Sequence, residues 1–110
     1  MPTTGAYEFK LAAKAVNACV PDDHLEYMEK GEWAWVDRTQ DYGCLLMHRC
    51  PDCGQLGQLW SKDKGHTIDA QGNVRPSVAH NYTVGGVNQC GFHTQPTRLL
   101  SFVDLRGTKG

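Results

Sequence analysis

Short apolar runs alternate with polar punctuation along the chain, and few stretches are long enough to make a helix. Tyr7, Phe9 and Leu11 fall on one face of an extended segment, with Glu8 and Lys10 on the other, which is the two-residue period of a strand. The alanine-rich continuation to Val16 fits a helix or a strand, and periodicity does not decide between them. Pro21-Asp22-Asp23 reads as a helix start. Asp22 or Asp23 would be the N-cap, Glu26 would sit in the first turn, Leu25 and Met28 would face the core, and the helix would run to Lys30 with Gly31 as a left-handed C-cap. Trp33 and Trp35 then alternate with small or charged neighbours over Glu32 to Asp37, again as in a strand. After a polar turn from Arg38 to Gly43, strands are predicted over Cys44 to Arg49 and Gln55 to Trp60. Ser61 to Gly65 is a charged turn, and Ala70 to Asn73 has the chemistry of a tight turn. Val74 to Val78 contains Pro76 and so predicts an edge strand or an extended loop. His80 to Gln89, with Gly85-Gly86, predicts an exposed loop, and Arg98 to Leu105 a final strand. The pattern predicts a mainly β, small α+β fold: a zinc-ribbon-like antiparallel sheet with one short helix near the N-terminus. It forms a single metal-stabilised domain over residues 1–110, with polar tails at 1–5 and 106–110.

The candidate chemistry lies in two short motifs. Cys50-Pro51-Asp52-Cys53-Gly54 is C-x2-C-G, and Cys90-Gly91-Phe92-His93 is C-x2-H. Two intervening residues let a pair of soft ligands converge on one ion at about 2.3 Å, so the two half-sites together predict one tetrahedral Cys3His zinc site, with one Zn²⁺ per chain. The ligands would be Cys50, Cys53, Cys90 and His93. Pro51 fixes a backbone angle of the first turn, and Gly54 is free to take the positive φ that follows a second ligand. A closed site of this kind is structural, and an ion that closes a long loop removes entropy from the unfolded chain. Strand, knuckle and strand from Cys44 to Trp60 would form the hairpin of a zinc ribbon.

Composition changes this picture little. The chain has 110 residues, 40% hydrophobic and 21% charged, which suits one modest domain. A formal net charge of −1 gives no general affinity for a phosphate backbone, so nucleic acid is not an indicated partner. No apolar run reaches the roughly 20 residues of a membrane span, and the N-terminus lacks the pattern of a signal peptide. Of the five cysteines, Cys19 and Cys44 are left over as thiols, which suits a reducing cytoplasm. Trp33, Trp35 and Trp60 read as core residues, and His66 and His80 as solvated loop positions.

The order H-L-E-Y-M, G-E-W-A-W-V, L-L-M-H-R-C-P-D-C-G, R-P-S-V and C-G-F-H-T resembles a family of small bacterial and phage proteins known as a domain of unknown function. Some of its members are labelled as ammonia monooxygenase. The resemblance covers residues 24–105. Its knuckles fall on Cys50, Cys53, Cys90 and His93, and its middle motif on Pro76-Ser77-Val78. Thr94 stands where many members carry an aromatic residue. The resemblance implies a metal-binding β-rich fold in the cytoplasm, a host's cytoplasm for a phage protein, and it implies no reaction.

The leading expectation is a small zinc-binding module that meets a protein partner through the Gly85-Gly86 loop and the face around Trp33, with modulation of a host protein as one role open to it. Two enzyme patterns compete with it. His48-Arg49-Cys50 with Cys90 and His93 resembles a Rieske centre, but in reversed order and with Cys53 surplus. His24-Leu25-Glu26 followed by Cys50 and Cys53 resembles a zinc deaminase, but leaves Cys90 and His93 unexplained. A nucleic-acid-binding ribbon is the third alternative.

Overall fold

The structure is a computed structural model and describes residues 4–38, 43–61, 65–80, 83–85, 87–88 and 90–105. Its strands are β1 (Thr4–Leu11), β2 (Cys19–Val20), β3 (Glu32–Arg38), β4 (Gly43–Arg49), β5 (Leu56–Trp60), β6 (Thr67–Ile68), β7 (Asn73–Arg75), β8 (Val78–Ala79), β9 (Thr83–Val84), β10 (Val87–Asn88) and β11 (His93–Leu99). A short 3-10 helix, Asp22–Tyr27, precedes β3. The fold is mainly β, as the alternating pattern predicts.

One sheet runs in the order β5-β4-β3-β1-β11-β7-β6, with β2 added beside β3 and β8 beside β11, while β9 and β10 pair separately. β1 pairs in parallel with both β11 and β3, β2 pairs in parallel with β3, and the other pairings are antiparallel. The far end of the sheet returns towards its start. Trp60 bridges to Gly65, and the His66 N–H donates to the Leu59 carbonyl at 3.1 Å, just ahead of β6. The sheet therefore curls round on itself and encloses its apolar face.

Phe9, Trp33, Trp35, Leu46, Leu59, Ile68, Val74 and Leu99 fill that interior. β3 is buried on both faces. Trp33 and Trp35 point inward, whereas Ala34 packs outward against Ala12, Val20 and Met28 from the preceding segment. This covering explains why a strand with a clean two-residue alternation has no exposed side at its centre. Glu32 is also buried, and its carboxylate is satisfied by the Glu29 N–H at 2.7 Å and the Ala13 N–H at 3.2 Å.

Several boundaries differ from the sequence expectation. The final strand is β11, which ends at Leu99. Residues 100–105 instead leave the sheet through Ser101, which has φ 58, and fold across the interior. The indole N–H of Trp33 donates to the Leu100 carbonyl at 2.9 Å, and that of Trp35 to the Val103 carbonyl at 2.6 Å. Phe102 packs against both indoles, with ring centroids 5.6 and 6.3 Å away. Buried indole N–H groups need acceptors, and the strand ends where its carbonyls are required for that purpose. The predicted helix is only a 3-10 segment that stops at Tyr27, although Gly31 does take a positive φ of 82°. Part of the predicted loop from His80 to Gln89 forms the β9–β10 ribbon, with Gly85 at its turn, and Gly86 lies outside the described residues.

Candidate metal centre

Cys50 follows the last residue of β4, and the chain turns at once. The Gly54 N–H donates to the Cys50 carbonyl at 3.0 Å and the Cys50 N–H to the Gln55 carbonyl at 2.9 Å, and β5 begins one residue later. Gly54 takes φ 78°, as the knuckle requires. Arg49 braces the turn from outside, donating to the Gly54 carbonyl at 2.6 Å and to the Leu25 carbonyl at 2.9 Å. The amides of Cys53 and Asp52 point at the Cys50 sulfur.

The other two groups come from the strands opposite. His80 directly follows β8, and its N–H donates to the Phe92 carbonyl at 3.1 Å, which ties it to the approach of β11. Cys90 lies on that same approach. The Cys50 and Cys90 sulfurs are 3.5 Å apart, and the Cys53 sulfur is 3.2 Å from His80 Nδ1. The four ligand atoms of Cys50, Cys53, His80 and Cys90 all lie within 4.8 Å of one another. Ligands about 2.0–2.3 Å from a tetrahedral ion stand about 3.3–3.8 Å from each other, so the cluster has the size of a site for one ion. Cys50 and Cys90 are buried, and Cys53 and His80 are half-buried.

His93 is not in this group. It is the exposed first residue of β11 and pairs with Ala79, while Phe92 and Thr94 on either side of it are buried. A knuckle of the C-x2-H kind needs a turn between its ligands. Here the chain is already extended at Phe92, and strand alternation sends the next side chain to the opposite face. His80, which the sequence placed in a solvated loop, lies opposite Phe92 and so faces the cysteines. No local spacing announces it. The signal that could have found it is the pairing of β8 with β11, which sequence alone does not give.

Burial pushes the Cys50 thiol up to about 12. The Cys53 and Asp52 amides oppose that shift, and the neighbouring Cys90 and Cys53 thiols add to it. A cation among the three sulfurs would favour the Cys50 thiolate that burial disfavours. Tyr7, Phe9 and Phe92 make an edge-to-face aromatic cluster beside the site, with ring centroids 4.8–5.9 Å apart. A Cβ on Gly31 would collide with the Tyr7 hydroxyl, so glycine there serves both the left-handed turn and the close approach of this ring.

The remaining chemistry-bearing residues lie elsewhere. His48 is buried behind the cluster, its ring 6.2 Å from that of His80 and nearly perpendicular to it. Glu26 is exposed on the 3-10 helix, and the side chains of His24 and Cys44 lie outside the described residues. The four described cysteines form no disulfide. Trp33 is fully buried in the core. Among the described residues no helix is long and apolar enough to cross a membrane. Compared with known proteins, the chain matches no family model, no curated protein and no solved structure.

Proposed function

We propose that the chain is a zinc-stabilised binding module, in which one Zn²⁺ per chain is held by Cys50, Cys53, His80 and Cys90 and a protein partner is met elsewhere on the surface. The observation that carries this reading is the convergence of three cysteine sulfurs and one imidazole nitrogen within 4.8 Å. Soft thiolate ligands with one imidazole favour zinc over the hard divalent cations. Four protein ligands complete a tetrahedron, so the ion serves the fold and offers no open position for a substrate. The ligands come from the β4–β5 turn, from the end of β8 and from the approach to β11, so one ion joins segments distant in sequence. The same compactness speaks against a Rieske centre, which divides its ligands between two irons. The resemblance to the bacterial and phage zinc-knuckle proteins is compatible with this reading and adds no reaction to it.

Elemental analysis of the purified protein tests the proposal. About one zinc per chain is expected, with removal by a strong chelator abolishing cooperative unfolding. Protein that is metal-free as purified, fails to take up added zinc and still melts cooperatively would refute it.

A further inference from the structure

β5 pairs with β4 along one edge only. On its other edge the described residues supply the Trp60–Gly65 bridge and the His66 N–H to the Leu59 carbonyl, and then the two strands part. β6 turns away to pair with β7, Thr67 with Arg75 and Ile68 with Val74. The wedge left between them is a cleft of about 520 Å³, bordered by Gln58, Trp60, His66, Thr67, Arg75 and Pro76. That volume lies in the range of ligand sites, roughly 300–1,000 Å³. The chain does not close the wedge itself, because β7 ends at Arg75 and Pro76 has no N–H with which to continue a ladder. The backbone next forms β8, which is committed to β11.

We propose that this cleft receives an extended acidic peptide segment of a partner protein, added as a strand along the free edge of β5. The inference rests on the reading of the chain as a binding module and supplies the partner's chemistry. An unpaired strand edge offers backbone donors and acceptors to another strand, and Leu56 to Gln58, the part of β5 that Gly65 and His66 do not engage among the described residues, give an edge about 10 Å long. Charge selects the side chain. Arg75 is exposed at the cleft wall, and among the described residues its guanidinium makes no hydrogen bond or ion pair. Asp69, on the same hairpin, is already occupied by the Gln71 and Asn73 amides at 2.9 and 3.0 Å and by the Asn73 side chain at 3.0 Å. Arg75 lies within electrostatic reach of the Asp69 carboxylate but forms no hydrogen bond with it among the described residues, so a carboxylate on the incoming strand would meet the Arg75 guanidinium at the cleft wall, with His66 beside it. The residue two positions along points to the same side and would rest on Trp60 and Pro76, so it should be apolar.

The test uses zinc-loaded full-length protein and a random linear heptapeptide library, with zinc content measured on every sample. Selected peptides should carry Asp or Glu with an apolar residue two positions away. They should perturb the amide resonances of Gln58, Trp60 and Thr67, and they should bind Arg75→Gln at least tenfold more weakly, while that variant keeps its zinc and its melting temperature. N-methylation of alternate peptide amides should abolish binding. Selected peptides without acidic enrichment, or binding unchanged in Arg75→Gln, would overturn the proposal. So would N-methylated peptides or free glutarate binding as well as the parent, which would make the cleft a simple anion site. A negative result with zinc in place overturns this inference alone, whereas protein that holds no zinc overturns the module reading.

Discussion

His48 is the least comfortable residue in the fold, and replacing it tests how the interior is satisfied. It lies on the inner side of β4, between Trp33 on β3 and Gly57 on β5, and is 2% exposed. Its ring packs edge-on against Phe9 at 5.2 Å, and among the described residues neither ring nitrogen makes a well-formed hydrogen bond, although the Gly57 backbone lies near enough to favour the charged ring slightly. A buried polar group left unsatisfied costs about 1–3 kcal/mol, while losing the ring contact costs about 0.5–1.5 kcal/mol. His48→Leu keeps the volume and removes the unpaired atoms, so at pH 7.5 it should stabilise the zinc-loaded protein by about 1 kcal/mol, which is a rise of about 4 °C or more in melting temperature for a domain of this size. Acid should widen the gap. Burial, with His80 close by, pushes His48 down to about 4, against about 6.5 in the unfolded chain. Between these values the unfolded state binds a proton that the native state refuses. The contribution to stability is therefore fully present above pH 6.5 and is lost as pH falls towards 4. At pH 5.5 the parent should have lost stability on the order of 1 kcal/mol that the variant keeps. Calorimetry of both proteins at pH 7.5 and 5.5, with zinc quantified, reads both effects. If His48→Leu melts lower at pH 7.5, or releases its zinc, the imidazole has a partner, such as a buried water or the ion itself, and the reasoning fails.

Three further outcomes follow from the geometry. His80→Ala should weaken zinc binding by at least tenfold, and His93→Ala should leave zinc content and melting unchanged, because His93 faces solvent on β11; equilibrium competition with a zinc chelator separates the two. Gly57→Ala would place a Cβ 2.6 Å from His48 Cε1 and 3.3 Å from His80 Cδ2, so it should cost about 1–3 kcal/mol in denaturant unfolding and also weaken zinc binding by displacing His80. Trp33→Phe removes the 2.9 Å hydrogen bond to the Leu100 carbonyl, which should cost about 1–3 kcal/mol and speed amide exchange across residues 100–105.

What could be read from the sequence follows the range of the forces involved. The C-x2-C-G knuckle is local: two thiols, a proline and a glycine within five positions determine their own turn, and it forms with Gly54 at φ 78°. The alternation of Tyr7, Phe9 and Leu11 and of Trp33 and Trp35 is local too, and these residues line or border the core as expected. The start signals Pro21-Asp22-Asp23 suit a short 3-10 segment as well as a longer helix, and the chain takes the short form. The place of His80 in the cluster is not a local property. It depends on the register of β8 against β11, in which Val78 meets Thr94 and Ala79 meets His93. A slip of β8 by one residue there would turn His80 out, while β11, held by β1 and β7, would keep His93 facing solvent.

That register also links the ion to the rest of the molecule. β11 begins beside the metal cluster and ends where residues 100–105 cross the interior beneath Trp33 and Trp35. Its seven residues span about 20 Å, and it is held on one side by β1 and on the other by β7 and β8. β8 is only two residues long and its partner contacts are few, so backbone pairing alone fixes its position weakly. The ion would fix it strongly, because His80 at the end of β8 and Cys90 before β11 would share one ion with the β4–β5 turn. On β11 itself the buried Thr94 hydroxyl lies 2.7 Å from that of Thr97. A metal ion held by the cluster would thus fix β8 against the strand on which the core depends. Its removal should loosen β8 and the start of β11 first, and only through them the packing of the two tryptophans.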